Sequence, residues 1–326
     1  MDSDGDIPME MWLALIAGLV LLVLGGEFLV RGAVRVAERL GVSPLVIGLT
    51  LVGFGTSTPE LVTSVQAALS GVPGIAYGNV VGSNIANLLL ILGAAALITP
   101  IAVGSAALRR DGGVMVAVTL AFAALGALVP LGVAVGAGFV VALALYIYMA
   151  FRQESRGALR EKADALSEAD PALAPDGGPA LPVSLAIALG GLALVVGGGY
   201  LLVDGATALA RAFGISETVI GLTVVAIGTS LPELVTSVMA ALRKQADMAF
   251  GNIIGSNIYN ILGIAGTTAL VSPGRVPAEI LGFDNYVMIA AALAVVGLAW
   301  TGFRISRREG ALLLAGYVLY LWALWP

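Results

Sequence analysis

The sequence contains no cysteine and no histidine. Disulfides, thiolate zinc sites, haem ligation and histidine acid–base chemistry are therefore excluded. Charge is scarce as well. Only 11% of the 326 residues are charged, 59% are apolar, and the mean hydropathy is +1.00. A soluble domain carries about 25% charged residues. So few charges cannot clothe a surface facing water, and the expected class is an integral membrane protein with the lipid bilayer as its main surroundings. The net charge is −5 without a long basic run, so nucleic acid is not an expected partner. The opening residues Met1 to Asp6 are acidic, unlike a secretory signal, and run into an apolar segment read as a retained first span.

What is present in abundance is spanning-length apolar sequence. A transmembrane helix needs roughly 20 apolar residues. Ten stretches qualify, near 11–30, 44–69, 76–101, 112–128, 133–151, 182–203, 217–241, 249–271, 285–303 and 310–325. The expected fold is all-α, with residues 1–151 and 182–326 as two five-helix halves of one membrane domain. The intervening 152–181 is rich in Arg, Glu, Asp, Ala and Pro and reads as a partly helical or disordered cytosolic linker. With ten spans and the N-terminus outside, 14 of the 16 Lys and Arg fall on one side, as the positive-inside rule demands. The expected location is a cell (plasma or inner) membrane, multi-pass, with both termini outside.

The chain also repeats itself. At an offset of 173 residues, 25–100 aligns with 198–273 without a gap and about 42 of 76 positions are identical. Gly55-Thr56-Ser57-Thr58-Pro59-Glu60 matches Gly228-Thr229-Ser230-Leu231-Pro232-Glu233, and Gly78-Asn79-Val80-Val81-Gly82-Ser83-Asn84 matches Gly251-Asn252-Ile253-Ile254-Gly255-Ser256-Asn257. Because five spans is an odd number, the second half enters the bilayer from the opposite side. The two halves are then related by a pseudo-two-fold axis in the membrane plane, a plan that makes a midplane site able to open to either face.

Polar chemistry concentrates in the repeated motifs. Glu60 and Glu233 lie deep in apolar sequence, at equivalent positions, with no basic residue nearby in either segment. An ionised acid at the bilayer centre costs roughly 2.5–3.5 kcal/mol on insertion scales, so such residues are functional candidates. Two close carboxylates without a counter-ion repel and compete for protons, a conflict that a bound divalent cation removes. Thr56 and Ser57 share a helical face with Glu60, as Thr229 and Ser230 do with Glu233. Pro59 and Pro232 have no amide hydrogen for the carbonyls of Gly55 and Gly228. The backbone from Gly53 to Thr56 and from Ala226 to Thr229 is thus expected to turn carbonyls toward a cavity. Ser83 and Asn87, and Ser256 and Asn260, are again one helical turn apart, with Asn87 and Asn260 expected to face the site and Asn84 and Asn257 expected to serve packing. The inventory is oxygen only, which suits Ca²⁺ with its six to eight oxygen ligands and also several Na⁺ ions.

The paired Gly-Thr-Ser-x-Pro-Glu and Gly-Asn-x-x-Gly-Ser-Asn motifs resemble those of the calcium/cation antiporter superfamily, specifically prokaryotic ten-helix sodium/calcium exchangers. The resemblance implies an antiporter, not an enzyme, exchanging Na⁺ for Ca²⁺ by alternating access. It implies Glu60 and Glu233 as the main Ca²⁺ ligands, with Thr56 and Thr229 contributing carbonyls. It gives Ser57, Ser83, Ser230, Ser256 and the carbonyls of Gly53 and Ala226 to sodium, and sets Asn87 and Asn260 in the middle of the site. It also implies that the first and sixth helices slide past a fixed core of eight. Relatives carry Asp where Asn260 stands, which bears on K⁺ dependence and ion stoichiometry. Ca²⁺ and Na⁺ are substrates, so no resident cofactor is expected, and no obligate protein partner is inferred. Two other readings stay open: an H⁺/Ca²⁺ exchanger of the same architecture and a passive cation channel. A membrane hydrolase fits poorly, because no third catalytic group accompanies the glutamates.

Overall fold

A computed structural model describes residues 9–168, 180–212 and 226–324. Seven helices in it are long and apolar enough to cross a membrane: α1 (Trp12–Leu40 within Met9–Leu40), α4 (Pro73–Ile98), α5 (Ser105–Leu128), α6 (Val133–Gln153 within Val133–Glu168), α7 (Leu181–Ala206 within Leu181–Ala212), α10 (Ala246–Val271) and α11 (Ile280–Trp300). An eighth crossing is broken, with α2 (Pro44–Thr56) and α3 (Thr58–Leu69) meeting at a 45° bend. Its counterpart is α8 (Ala226–Thr229) followed by α9 (Leu231–Leu242), and the first part of that span, 217–225, lies outside the described residues. The last helix, α12 (Arg307–Leu324), is apolar after a charged first turn of Arg307, Arg308 and Glu309. The chain is an all-α membrane protein on the ten-span plan; among the described residues the exceptions are an isolated bridge, Leu131 to Gly274, and a two-residue antiparallel pairing of β1 (Ile101–Ala102) with β2 (Arg304–Ile305).

The layering follows burial. The most hydrophobic stretches are not the deepest: α4 and α10, which carry the asparagine motifs, are 72% and 83% buried, against 33% and 29% for α1 and α7. The motif helices are the centre, and α1 and α7 form a peripheral pair. That pair packs backbone to backbone. A Cβ at Gly25 would sit 2.6 Å from the amide nitrogen of Val195, and one at Gly198, the repeat equivalent of Gly25, would sit 2.8 Å from the carbonyl oxygen of Gly18. Residue numbers rise along one helix as they fall along the other, so the two equivalents run antiparallel. Inverted halves require that arrangement.

Two backbone staples hold the halves together, and they are themselves repeat equivalents. Ile101 pairs with Ile305 in the small sheet, extended by a 2.8 Å bond from Val103 N to Phe303 O. Leu131 and Gly274 form the other bridge, Leu131 N donating to Gly274 O at 2.8 Å. Further out, Asp111 is fully buried at the start of α5, where Tyr146 of α6 donates to it at 3.0 Å and Arg110 pairs with both its oxygens at 2.7 and 2.9 Å. Asp284, 173 residues on, accepts from Tyr320 of α12 at 2.9 Å. Sequence hydropathy starts the fourth span at 112; the structure starts it at Ser105, because Asp111 is neutralised inside the helix rather than lying in a loop.

Helix α6 continues past the bilayer-length segment to Glu168, so the front of the 152–181 linker is helical.

Candidate functional site

The broken spans set the glutamates. Pro59 and Pro232 stand at the first turn of α3 and α9, where a missing amide hydrogen costs nothing. The chain breaks just before them, at Ser57 (φ −81°, ψ 9°) and Ser230 (φ −92°, ψ 5°). Glu60 and Glu233 therefore fall in the first turn of a new helix, in the positive field of its N-terminus. Both are buried, at 1% and 0% exposure.

The two halves then interlock. Ser57 donates to Oε1 of Glu233 at 2.7 Å, and Ser230 donates to Oε1 of Glu60 at 3.2 Å. Each carboxylate is thus held by the serine that precedes the other. The remaining oxygens, Oε2 of Glu60 and Oε2 of Glu233, find no hydrogen-bond partner among the described residues, although both are buried. A buried polar atom without a partner costs about 1–3 kcal/mol, more when charged. Among the described residues no third histidine, cysteine, aspartate or glutamate joins the pair as a metal-binding group.

The asparagine motifs brace the carboxylate helices. Asn79 donates to the Glu60 carbonyl at 3.1 Å and to Ser64 Oγ at 2.9 Å; Asn252 donates to the Glu233 carbonyl at 3.4 Å and to Ser237 Oγ at 2.8 Å. Asn252 also accepts from Thr56 at 3.4 Å, tying the second motif to the first. Asn84 and Asn257 each bond back to the carbonyl one turn earlier, Val80 and Ile253, at 2.8 and 2.7 Å, so they serve their own helices. Oδ1 of Asn84 and of Asn257 is nonetheless buried without a partner among the described residues, as it is in Asn87 and Asn260, which differ in backbone setting. Each of the latter two lies in a stretch of π-helix, Ala86–Ile91 and Asn260–Ala265, and Nδ2 of Asn260 also finds no partner among the described residues. π-Turns inside α-helices are frequent at functional sites.

The other expected residues also fall here. Thr56, Ser57, Ser83, Ser230 and Ser256 are buried. Thr229 is half-buried at the end of α8. The Gly53 carbonyl is already engaged, accepting from Thr56 Oγ1 at 3.3 Å, Ser256 Oγ at 3.2 Å and Ser57 N at 3.2 Å, so these hydroxyls must turn for it to meet an ion. Ala226 opens α8. The sequence reading missed the cross-repeat serine bonds and the double role of Asn79 and Asn252. Their presence in both copies of a duplicated motif was the signal available.

The packing beside this centre is unequal on its two sides. A cleft beside α7 is lined by Pro59, Thr63, Val196, Gly199, Tyr200, Gly228, Thr229 and Pro232. The repeat equivalents of those positions are Pro232, Thr236, Val23, Gly26, Glu27, Gly55, Thr56 and Pro59. There Gly26, Thr56 and Thr236 are packed closed, although Val23 is 49% exposed. Thr56 and Thr236 are fully buried, and a Cβ on Gly26 would lie 2.9 Å from Val235 and 3.0 Å from Met239. Among the described residues the Cβ of the equivalent Gly199 would meet only Pro232, at 3.8 Å. Nearly identical linings are open on one side and shut on the other.

Comparisons with known proteins show the family. The family model described as sodium/calcium exchanger protein matches residues 10–152 and 183–325. The chain is 41% identical to the putative antiporter CaxA of Alkalimonas amylolytica over 95% of this chain and 97% of that one. It is 37% identical to the sodium/calcium exchanger MaX1 of Methanosarcina acetivorans, again over 95% and 97%. Among solved structures it is similar to the sodium-calcium exchanger NCX_Mj soaked with 10 mM Na⁺ and no Ca²⁺, with a TM-score of 0.84, 32% identity, and coverage of 97% of this chain and 99% of that one.

Proposed function

Since the chain belongs to the sodium/calcium exchanger family, and is thereby a multi-pass membrane cation exchanger rather than an enzyme, we propose that it couples Na⁺ movement in one direction to Ca²⁺ movement in the other. The observation that carries this reading is the carboxylate pair. One glutamate comes from each inverted half, each is tied across by the other's serine, and each keeps one buried oxygen without a partner. Two carboxylates balance one Ca²⁺, and the unpartnered Oδ1 atoms of Asn87 and Asn260 extend the oxygen set a hard cation takes. Thr56, Thr229, Ser57, Ser230, Ser83, Ser256 and the carbonyls of Gly53 and Ala226 complete the proposed site, the hydroxyls serving Na⁺ at displaced positions.

Alternating access supplies the coupling. Two linings of nearly the same composition, one open and one closed, support a cycle in which the halves exchange these conformations while a loaded site stays near the midplane. A site that can be reached from one face at a time passes no steady current, which favours exchange over a channel. The Lys and Arg bias supports an orientation with the 152–181 segment in the cytosol and both termini outside.

The driving ion is the point to test. Purified protein in sealed vesicles is given a Na⁺, a K⁺ or an H⁺ gradient in turn, and Ca²⁺ uptake is followed. Uptake driven by Na⁺ alone is expected. Uptake driven by H⁺ and indifferent to Na⁺ would make this a proton/calcium exchanger instead.

A further inference from the structure

Among the eight positions that line the open cleft and their eight repeat equivalents, only one pair differs in residue type: Tyr200 on the open side stands where Glu27 stands on the closed side. Glu27 is not a bystander on the surface, as its place near a span end suggests. Its carboxylate is ion-paired with Arg31 one turn further along α1 and takes a two-pronged contact from Arg243, the residue that follows α9, through Nε at 2.7 Å and through Nη2. A fork of that kind fixes geometry as well as charge.

We propose that Glu27 and Arg243 form a one-sided latch. It joins the peripheral α1–α7 pair to the carboxylate-bearing helix α9, holds the cleft on that side shut, and sets which access state the empty exchanger rests in. The latch rests on the alternating-access reading above. To open the closed side, α1 must withdraw from α9 at Gly26, where Val235 and Met239 now pack, and Glu27 lies on that contact, beside Gly26. Withdrawal there breaks the bond to Arg243. On the opposite side the equivalents of Glu27 and Arg243 are Tyr200 and Ser70, which carry no charge and cannot form the pair. The two access states of a duplicated protein would otherwise be close to degenerate; the latch lifts that degeneracy in one direction.

The effect is modest in size. The side chains of Arg243 and Arg31 are 47% and 53% exposed and that of Glu27 is 16% exposed. Pairs at such positions shift an equilibrium by about two- to five-fold.

The natural absence of cysteine makes the test direct. Thr63→Cys reports the open cleft and Thr236→Cys its closed equivalent. The rates at which each reacts with a water-soluble thiol reagent are measured in detergent-purified protein, where both faces are reachable. With the latch intact, position 63 should label faster than position 236. Glu27→Gln should lower that rate ratio by about two- to five-fold, Arg243→Gln should do the same by a second route, and the charge-swapped pair Glu27→Arg with Arg243→Glu should restore it. An unchanged ratio in both single variants overturns the latch, and so does a shifted ratio that the swap fails to restore. Ca²⁺ flux through the latched protein in vesicles is measured beside it. Loss of cation-driven flux there would defeat the exchange reading itself, whereas normal flux with an unmoved labelling ratio defeats only the latch.

Discussion

Ser57 donates a hydrogen bond to Glu233, a residue of the other half, although Glu60 stands three positions away in its own half. The run Ser57-Thr58-Pro59-Glu60 has the spacing of a helix capping box, in which serine and glutamate satisfy each other's helix end. Neither Ser57 nor Ser230 caps its own helix with its side chain. Both are diverted across the pseudo-two-fold, so a locally stable motif is spent on holding the two carboxylates together. Hydrogen bonds to charged groups are worth about 1.5–3 kcal/mol. Ser57→Ala or Ser230→Ala should therefore weaken cation binding by about ten-fold or more, measured as a raised half-saturating Ca²⁺ or Na⁺ concentration. An unaltered half-saturation for both ions would show that the serines do not hold the glutamates.

Glu60→Gln and Glu233→Gln should each abolish Na⁺-driven Ca²⁺ flux while the protein still purifies as a folded species. Removing one partner of a buried charge assembly costs about 3–5 kcal/mol, which corresponds to at least ~100-fold in binding. Robust vesicle uptake by either variant would take that residue out of the site.

Acid should inhibit. A proton on Oε2 of either glutamate occupies an atom the cation needs and removes a charge that balances it. Ca²⁺ flux at a fixed Na⁺ gradient should fall as the bathing pH is lowered from about 8 to about 5, because protons and Ca²⁺ contend for the same oxygens. A flat profile across that range contradicts carboxylate ligation.

The seam between α1 and α7 should not tolerate a side chain. At Gly25 a Cβ would meet the backbone of Val195 and Gly191 at 2.6 and 2.9 Å, and backbone cannot rotate away as a side chain can. Gly25→Val should lower stability by about 1–3 kcal/mol, read as a reduced unfolding temperature in detergent. Gly113→Ala, at a position with open space around it, serves as the tolerated control.

Asp111 should prove structural. Its substitution by Ala removes the acceptor of the Tyr146 hydroxyl and of the two Arg110 bonds at 2.7 and 2.9 Å. A loss of about 3 kcal/mol is expected, again as a fall in unfolding temperature, with the half-saturating Ca²⁺ concentration of the surviving fraction unchanged.

Much of this was legible in the sequence, because each inference rested on a signal that survives translation into one dimension. Hydropathy gives spans, an odd span number with a duplicated motif gives inversion, and buried acids without partners give a cation site. Glu60 and Glu233 stood out as acids deep in apolar sequence, and Asn87 and Asn260 by their one-turn spacing from Ser83 and Ser256; the structure buries all four. What stayed hidden depends on register between the halves. That Ser57 bonds to Glu233 rather than to its own helix end follows from how two broken helices meet, which spacing along one chain does not encode. The start of the fourth span was misjudged for a related reason: Asp111 reads as a loop residue until Tyr146 and Arg110 are known to neutralise it. The unequal clefts were least legible of all, since Thr63 and Thr236, or Gly199 and Gly26, are the same residues and differ only in what surrounds them.

The paired staples at Ile101–Ile305 and Leu131–Gly274 constrain what kind of motion this exchanger can use. Each ties a loop of one half to a loop of the other through main-chain hydrogen bonds, and the two ties are repeat equivalents. Rocking one half bodily against the other would have to pull both apart in every transport cycle. A frame laced at two points is better suited to staying still. The movement then falls to elements outside the lacing, and the α1–α7 pair, with 33% and 29% of its spans buried, is one such element.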